Sequence, residues 1–453
     1  MAATATPPAH SRRRFLTSLT GLTGLTGLTG LGATGAAATL TGCSALGIGA
    51  GDDKRGLDVW TLTDPVQNAI QRDALNAFRR EHTSRAMLTT FPNTGYTQKL
   101  RIAMGTSDGP DVFFSWGGAS LRPYKDAGLV VDLAERLGDE TRWSDAYLPA
   151  ALQAARIDGG APLGLPLRGM QPVILFCNQD VFEQHDQRPP RTWNELLDVV
   201  DAFTDADVIP VSLAGAESWC ELMWLECITG RLTGPGPLRR IFAGERGSWR
   251  HPAIEDALDR IQLLVRRGAF GRTFASVSYG SGGATALFAR GRAAMHLMGS
   301  WEYTNLRDQH TKFAKNSLSW SAFPSIPGGS GDPRALVGNP TNYLSVNTRS
   351  ADVDAGVELL HTQLASRPFI DALIKSGDVP AAAGIEDRLR ELAPDPAFAQ
   401  YVYRIVSEAT DFTLSWDQAM LPAVKEAMLS SLQQIFLGKL SPRQFIDAME
   451  VIQ

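Results

Sequence analysis

Ten tryptophans occur in a chain of 453 residues, and three of them stand where a predicted strand ends. Trp116 precedes a Gly-Gly turn, Trp219 lies just past a strand, and Trp301 begins a helix directly after a strand. Open α/β sheets bind ligands at such strand ends. An indole covers the apolar C–H face of a pyranose without a charge, and polar side chains nearby can pair with the hydroxyls. Core packing is the usual role of tryptophan, so position has to decide, and here it favours binding of a sugar ring.

Polar side chains follow the first two predicted strands. Asp64 ends the first strand, where its carboxylate could accept hydrogen bonds from two sugar hydroxyls. Its alternative role is the N-cap of the helix that begins after Pro65. Asn93 and Tyr96 follow the second strand in the same way. Binding and structural roles stay equally open for these residues.

The order of predicted elements indicates a parallel α/β sheet in the first part of the chain. Strands are predicted at 56–62, 86–91 and 110–116, with an amphipathic helix at 67–81 and a short helix at 97–105 between them. Strands that alternate with helices in this way pair in parallel. Further predicted elements are strands at 173–178, 208–214 and 292–299, a capping box at 192–195, a helix at 253–268 and a largely helical region from 351.

The N-terminal region resembles an export signal. Three arginines at 12–14 precede a weakly apolar Leu-Thr-Gly repeat at 19–30, which is typical of a twin-arginine leader. The following LTGC at 40–43 resembles a lipobox, in which small residues precede the cysteine that is acylated. A chance cysteine in a flexible leader is the alternative. We predict a signal peptide at 1–42, a lipidated Cys43 and a flexible tether at 43–56.

The totals limit the class of protein. Removal of the leader leaves 411 residues, too many for one ordinary core, and lowers the net charge from −5 to −8 because the leader holds three arginines and no acids. That charge argues against nucleic-acid binding. No later apolar run is long enough to span a bilayer. No CxxC or HExxH motif supports a metal site, and no cofactor is predicted.

The remaining cysteines predict buried thiols. Cys220 and Cys227 lie seven residues apart in a predicted helix, which places their Cα atoms roughly 10 Å apart, too far for a disulfide. Cys177 could pair with either of them in an exported protein.

Several segments resemble one family in the expected order. They are PDVFFSWGGASLRPYKDAGLVVDL, LPLRGMQPVILFCNQDVF, RTWNELLDVVDAF, ARGRAAMHLMGSWEYTNL and LSWDQAMLPAVKEAMLSSLQQIFLGKLSPRQFIDAM. They are similar to family 1 extracellular solute-binding proteins, the carbohydrate receptors of ABC importers. The resemblance implies an α/β, type II periplasmic-binding-protein-like fold of two lobes, with crossings near Leu167, Phe323 and Gly377. It implies an N-terminal lobe at 57–167 and 323–376 and a C-terminal lobe at 168–322 and 377–453.

The resemblance also implies site residues. It places a binding aromatic at Trp116, a stacking aromatic at Trp301 in its G-x-W segment, and another aromatic at Trp416 in LSWDQ. Arg168 falls at the first crossing, where it could donate to a sugar hydroxyl or form an ion pair with a lobe carboxylate. Asn339 falls in a loop that approaches the ligand in relatives.

One further candidate comes from the neighbourhood of Trp416. Asp417 could bond a hydroxyl or cap the following helix.

We expect a monomeric receptor at the outer face of the cytoplasmic membrane that passes a neutral, β-linked oligosaccharide to an ABC permease. A lipid-anchored glycoside hydrolase is the alternative from another class, and it would need two carboxylates about 5–10 Å apart. A GxSxG nucleophile motif and a P-loop lysine are both absent from the sequence. A receptor for an anionic or peptide solute is the third hypothesis, and it would need a cationic cleft.

Overall fold

The computed structural model describes residues 56–452, apart from 83, 94, 139–142, 158 and 281. The predicted leader at 1–42, Cys43 and the tether up to residue 55 therefore lie outside the described residues. Within the described part of the chain, no helix combines the length and the apolarity that a membrane crossing needs.

The strands agree with the predicted ones to within a few residues, and short strands add to them. They are β1 Leu57–Leu62, β2 Ala86–Phe91, β3 Val112–Ser115, β4 Leu165–Pro166, β5 Gln171–Asn178, β6 Ile209–Val211, β7 Ala293–Gly299, β8 Leu318–Ser321, β9 Leu336–Asn339, β10 Tyr343–Val346 and β11 Phe412–Leu414.

The helices connect these strands and make up most of the C-terminal region. They are α1 Pro65–Glu81, α2 Tyr96–Met104, α3 Arg122–Asp126, α4 Leu133–Leu137, α5 Pro149–Gln153, α6 Gln179–Gln184, α7 Trp193–Asp205, α8 Ser218–Thr233, α9 Pro235–Phe242, α10 Pro252–Arg266, α11 Ala284–Ala289, α12 Glu302–Gln309, α13 Thr311–Asn316, α14 Val353–Leu364, α15 Arg367–Ser376, α16 Glu386–Leu392, α17 Pro396–Ser407, α18 Trp416–Ala419, α19 Pro422–Phe436 and α20 Pro442–Ile452.

The first sheet has the strand order β2-β1-β3-β10-β4. Its strands β2, β1 and β3 run parallel, as the alternation of strands and helices predicts, whereas β10 runs antiparallel to β3 and β4. Helix α1 begins at Pro65 and buries Ile70, Leu75 and Phe78 in the core beside this sheet. We call this sheet and its core the first lobe.

The second sheet has the order β11-β9-β5-β7-β6, and β8 pairs with β5. Every residue of β5 is buried, because helices and further strands cover it on all sides. The predicted capping box opens α7, in which the Thr192 side chain accepts from Glu195 N while the Glu195 carboxylate accepts from Thr192 N. We call this sheet and its separate core the second lobe.

Three segments cross between the lobes side by side, and we call them the hinge: 167–170, 339–343 and 376–379. The first segment lies between the other two. Their hydrogen bonds are Leu167 N to Asn342 O at 2.7 Å, Thr341 Oγ1 to Arg168 O at 2.8 Å and Met170 N to Val379 O at 2.8 Å. These hydrogen bonds hold the three crossings side by side.

The second crossing lies later in the sequence than the resemblance implies. The resemblance places it near Phe323, but Phe323 lies in the second core together with Leu336. Strand β9 pairs with β5 and β11, so the chain returns only after Asn339. The short Leu-Val-Gly-Asn strand gives almost no periodic signal, because it holds a glycine and only two large apolar residues.

A second contact joins the lobes away from the hinge. Gly118 of the first lobe, with φ of 56°, lies so close to the second lobe that an added Cβ would overlap Leu414 Cδ2. The same added atom would lie 3.4 Å from the carbonyl oxygen of Gln418 in α18. Only a residue without a side chain leaves room for this approach.

Helix α8 carries two buried acids. Glu226 Oε1 accepts from Trp416 N at 2.6 Å and from Ser415 Oγ at 2.8 Å, so it fixes the start of α18. Burial raises the pKa of Glu226 to about 8, helped by Asp417 and opposed by these two hydrogen bonds. Burial likewise raises the pKa of Glu221, which is fully enclosed, to about 8.

Substitution Glu226→Gln tests this burial. The native state keeps protons on both acids between about pH 4.5 and 8, where the unfolded chain releases them. The free energy of unfolding therefore falls as the pH rises through this range. We expect a smaller fall in the variant, measured by urea unfolding at pH 5, 6.5 and 8.

The exposed Glu426 of α19 provides the matched control, and Glu426→Gln should keep the wild-type pH dependence. An identical pH dependence in Glu226→Gln and wild type would contradict the assignment.

Candidate functional site

The first sheet presents polar and aromatic residues at one edge. Because β1, β2 and β3 are parallel, their carboxyl ends meet there, followed by Asp64, Asn93 and Trp116 respectively. Ser115, the residue before Trp116, pairs with Tyr343 at the end of the hinge. This edge of the first lobe is therefore next to the hinge.

The second sheet presents aromatic residues at a corresponding edge. Strands β6 and β7 are parallel, and Trp219 and Trp301 follow their carboxyl ends. Ser300 ties this edge to the hinge region, because its N–H donates to Pro172 O at 2.9 Å and its hydroxyl donates to Met170 O at 3.0 Å. Two sheet edges thus flank the same three crossing segments.

Trp219, Tyr279 and Trp301 form a cluster that we call the aromatic cluster. The ring centroid of Trp219 lies 5.1 Å from that of Tyr279 and 6.3 Å from that of Trp301. All three side chains are half-buried. The indole N–H of Trp301 donates to the Tyr279 hydroxyl at 3.0 Å. Rings that are both packed and partly exposed can offer a face to a ligand.

Gly299 sets the position of the Trp301 ring. A Cβ on Gly299 would overlap three atoms of that ring, so the indole lies directly over the last residue of β7. The ring can take this place only because residue 299 has no side chain.

A charged triad lies at the hinge. The Arg168 guanidinium is 3.2 Å from Asp64 Oδ2 and 3.7 Å from Asp378 Oδ2. All three remain in partial contact with solvent, with side-chain exposures of 21%, 32% and 14% respectively. The ion-pair role weighed for Arg168 is therefore present in the structure. Two carboxylates against one guanidinium leave the triad with a net negative charge.

Asp64 has both of the structural roles that compete with binding. Its Oδ1 accepts from Gln67 N at 3.2 Å as the N-cap of α1, while Oδ2 faces Arg168. Gln67 in turn donates to Asp378 at 2.9 Å, which links the first lobe to the third hinge segment.

Trp116 is half-buried at the end of β3. Its ring lies at 4.9 Å from Phe114 and 6.0 Å from Tyr96, in edge-to-face geometry with both. The next residue, Gly117, has φ of 82° and would clash with Ala154 and Tyr343 if it carried a side chain. The glycine turn thus holds Trp116 at the sheet edge.

Two predicted binding residues are core residues instead. Trp416 is completely buried in the second core between Phe242 and Trp249, because α18 folds inward onto α8. Tyr96 is 1% exposed, and its hydroxyl donates to Phe114 O at 2.9 Å. Neither ring has a free face for a ligand in this structure, so both predictions are wrong for it.

Three other candidates make contacts within the protein. Asn93 is exposed, and its backbone carbonyl accepts from Tyr96 N at 3.3 Å. Asn339 is half-buried in the hinge, with its amide 3.5 Å from the Gln171 side chain. Asp417 accepts from the Gln418 side chain at 2.9 Å, and burial raises its pKa. Their binding roles stay predictions.

The described residues contain three free cysteines and offer no metal site. Cys177, Cys220 and Cys227 are buried free thiols, as expected. Among the described residues, no group of three or more His, Cys, Asp or Glu side chains is placed to hold a metal ion.

Sequence reasoning missed Tyr279, which accepts from the Trp301 indole, and Glu302, which accepts from the Tyr279 hydroxyl. Tyr279 stands beside a Gly-rich stretch that gives no strand or helix signal, and Glu302 resembles any acid in a first helical turn. Their contact depends on the tertiary fold.

The model of the family described as "Bacterial extracellular solute-binding protein" matches residues 63–366, well over half of the chain. This protein belongs to that family. The family is one of solute-binding proteins and not one of enzymes.

The relatives are distant in sequence. The chain is 24% identical to the "Probable sugar-binding periplasmic protein" of Mesorhizobium japonicum, over 60% of this chain and 62% of that protein, which is less than two thirds of its length. It is 22% identical to the "Multiple sugar-binding protein" of Streptococcus mutans, over 72% of this chain and 76% of that one.

Solved structures share the fold. A "Chitin oligosaccharide binding protein" matches with a TM-score of 0.76 and 22% identity, over 88% of this chain and 98% of that chain. A structure from work on xylan utilization by Caldanaerobius polysaccharolyticus matches with the same TM-score and 24% identity, over 87% and 99%. These matches confirm the periplasmic-binding-protein-like α/β fold.

Substitution Gly299→Ala tests the position of Trp301. The backbone of Gly299 lies outside the left-handed region, and the nearest atoms that an alanine Cβ would meet belong to the indole of Trp301. We expect a loss of about 1–3 kcal/mol in the free energy of unfolding. The tryptophan emission spectrum should also change as the ring is displaced.

Gly236 in α9 has open space around its Cβ position, and Gly236→Ala is the control that should keep the wild-type emission spectrum and lose no stability. Wild-type emission from Gly299→Ala would contradict the placement.

Proposed function

We propose that this protein captures a neutral, β-linked oligosaccharide between its two lobes and delivers it to the permease of an ABC importer. The observation that carries the proposal is the aromatic cluster at the carboxyl edge of the second sheet, next to the hinge. Trp116 and the charged triad occupy the edge of the first lobe. A sugar between the edges would meet the aromatic cluster on one side, and Trp116 with the charged triad on the other.

The chemistry of the two edges favours a sugar over an anion. Indole faces pack against the C–H face of a pyranose, and the carboxylates of Asp64 and Asp378 can accept hydrogen bonds from its hydroxyls. Arg168 already faces both carboxylates, so the triad offers no net positive charge to an anionic solute. The net charge of −5 points the same way.

The names of the relatives support the sugar class. They include a multiple sugar-binding protein and a galactooligosaccharide-binding protein, and the solved structures include a chitin oligosaccharide binding protein. The β-linkage is our choice among sugars, since several aromatic rings at the two edges suit a chain of two or more rings.

The proposed mechanism is closure about the hinge. A ligand shifts the balance between open and closed lobes only if it makes more contacts in the closed form. Hinge closure of this kind in periplasmic binding proteins is one of the recognised types of ligand-driven domain motion. The three adjacent hinge segments are the place about which the lobes would rotate.

The proposed location is the outer face of the cytoplasmic membrane. A twin-arginine leader and a lipidated Cys43 would keep the receptor beside its permease, which raises the effective concentration of each for the other. We propose that the receptor acts as a monomer.

Titration of the purified full chain with xylobiose, cellobiose, chitobiose and maltose tests the proposal. Intrinsic tryptophan fluorescence, followed by calorimetry, should detect binding of at least one β-linked sugar, recovered uncleaved. Trp301→Ala should weaken that binding about tenfold or more, because it removes the stacking surface.

Trp320→Ala is the matched control, since Trp320 is also half-buried in the second lobe but packs against Tyr303 and Phe398. It should bind sugar like the wild type. No binding across the panel, or undiminished binding by Trp301→Ala, would sink the proposal.

A further inference from the structure

The Tyr279 hydroxyl is fully engaged in hydrogen bonds. It donates to Glu302 Oε2 at 2.9 Å and accepts from Trp301 Nε1 at 3.0 Å and from Asn305 Nδ2 at 2.7 Å. A phenolic hydroxyl has one hydrogen to donate and two lone pairs to accept with, and all three are used. The contact geometry of this group therefore admits one orientation of the Trp301 indole.

The buried carboxylate of Glu302 supports this arrangement. Its side chain has no solvent exposure, and Oε2 also accepts from Asn305 at 3.1 Å. On its other side, Oε1 lies 3.5 Å from His296 Nε2, and the ring of His296 contacts Ser212 O through Nδ1 at 2.8 Å. The carboxylate is thus tied to β7 and to the segment after β6.

The charge state of Glu302 fits this role. Burial alone would raise its pKa, but His296, Thr285 and Asn305 together outweigh burial, so the pKa lies below the usual value. An ionised carboxylate accepts a stronger hydrogen bond from the Tyr279 hydroxyl than a neutral one would.

We propose that Glu302 and Tyr279 are positioning residues that hold the Trp301 indole for stacking on the solute. This inference rests on the proposed function and deepens it. Because the Trp301 N–H is spent on Tyr279, the indole recognises the solute only through its ring face. Discrimination between hydroxyl patterns then falls to polar groups elsewhere, such as the triad of Asp64, Arg168 and Asp378.

Tyr279→Phe tests whether the Tyr279 hydroxyl positions Trp301, because the substitution keeps the ring beside Trp219 and removes only the hydroxyl. The first measurement is the indole N–H resonance of Trp301 in the free, ¹⁵N-tryptophan-labelled full chain, assigned with Trp301→Phe. We expect this resonance to shift and its exchange with solvent to accelerate. Affinity for the responding sugar should fall about fivefold to tenfold.

Tyr303→Phe is a matched control, and Tyr303 lies in α12 next to Glu302. The Tyr303 hydroxyl donates to Asp395 Oδ2 at 2.7 Å, so the variant also loses a tyrosine–carboxylate hydrogen bond, but one remote from the indole N–H of Trp301. It should leave both the Trp301 resonance and the affinity unchanged. In the Trp301→Ala background, Tyr279→Phe should cause no further loss of affinity.

An unchanged Trp301 resonance in Tyr279→Phe would overturn the inference, as would an equal loss of affinity in the Trp301→Ala background. If Tyr279→Phe does not fold, Glu302→Gln takes its place in the same measurements. If the wild type binds none of the sugars, the proposed function fails. The Trp301 resonance of the free protein still decides whether Tyr279 positions the indole.

Discussion

The three hinge segments are the constraint on which the site depends. Arg168 and its neighbours form the middle segment. The carbonyl of Arg168 accepts from Thr341 on one side, and Met170 N donates to Val379 O on the other. Parallel strands bring their carboxyl ends to one edge of a sheet, and the hinge brings the edges of two different sheets to the same three segments. The proposed site between β7 and the loop after β3 depends on this arrangement.

Side chains then refine what the hinge arranges. In the second lobe, a glycine under the Trp301 ring and the Tyr279 hydroxyl beside it fix one indole. In the first lobe, Arg168 neutralises part of the charge of Asp64 and Asp378 while leaving them in contact with solvent. Candidate binding groups thus lie on both lobes, which suits a ligand that must contact both for closure.

Much of the fold and part of the site could be predicted from sequence. The alternation of strands and helices gave the parallel part of the first sheet, and strand ends marked Trp116, Trp219 and Trp301. The binding role predicted for Trp416 failed because a tryptophan before a long helix can turn inward as easily as outward. Here the hydrogen bond from Trp416 N to Glu226 holds the start of α18 against α8. No local pattern announces such a buried acid.

The other misses have similar causes. Tyr96 looked like a loop residue, but helix α2 begins with it and turns its ring into the core. Strand β9 is short and contains a glycine, so the second crossing could be placed only from its pairing with β5. Tyr279 and Glu302 matter through contacts between residues distant in sequence, which periodicity does not encode.

A crystal structure of the protein with its responding oligosaccharide tests the central claim most directly. The account predicts sugar density between the two sheet edges, with one ring against the Trp301 face and hydroxyls directed at the triad of Asp64, Arg168 and Asp378. Sugar bound elsewhere, or bound to one lobe without contact to the other, would contradict it.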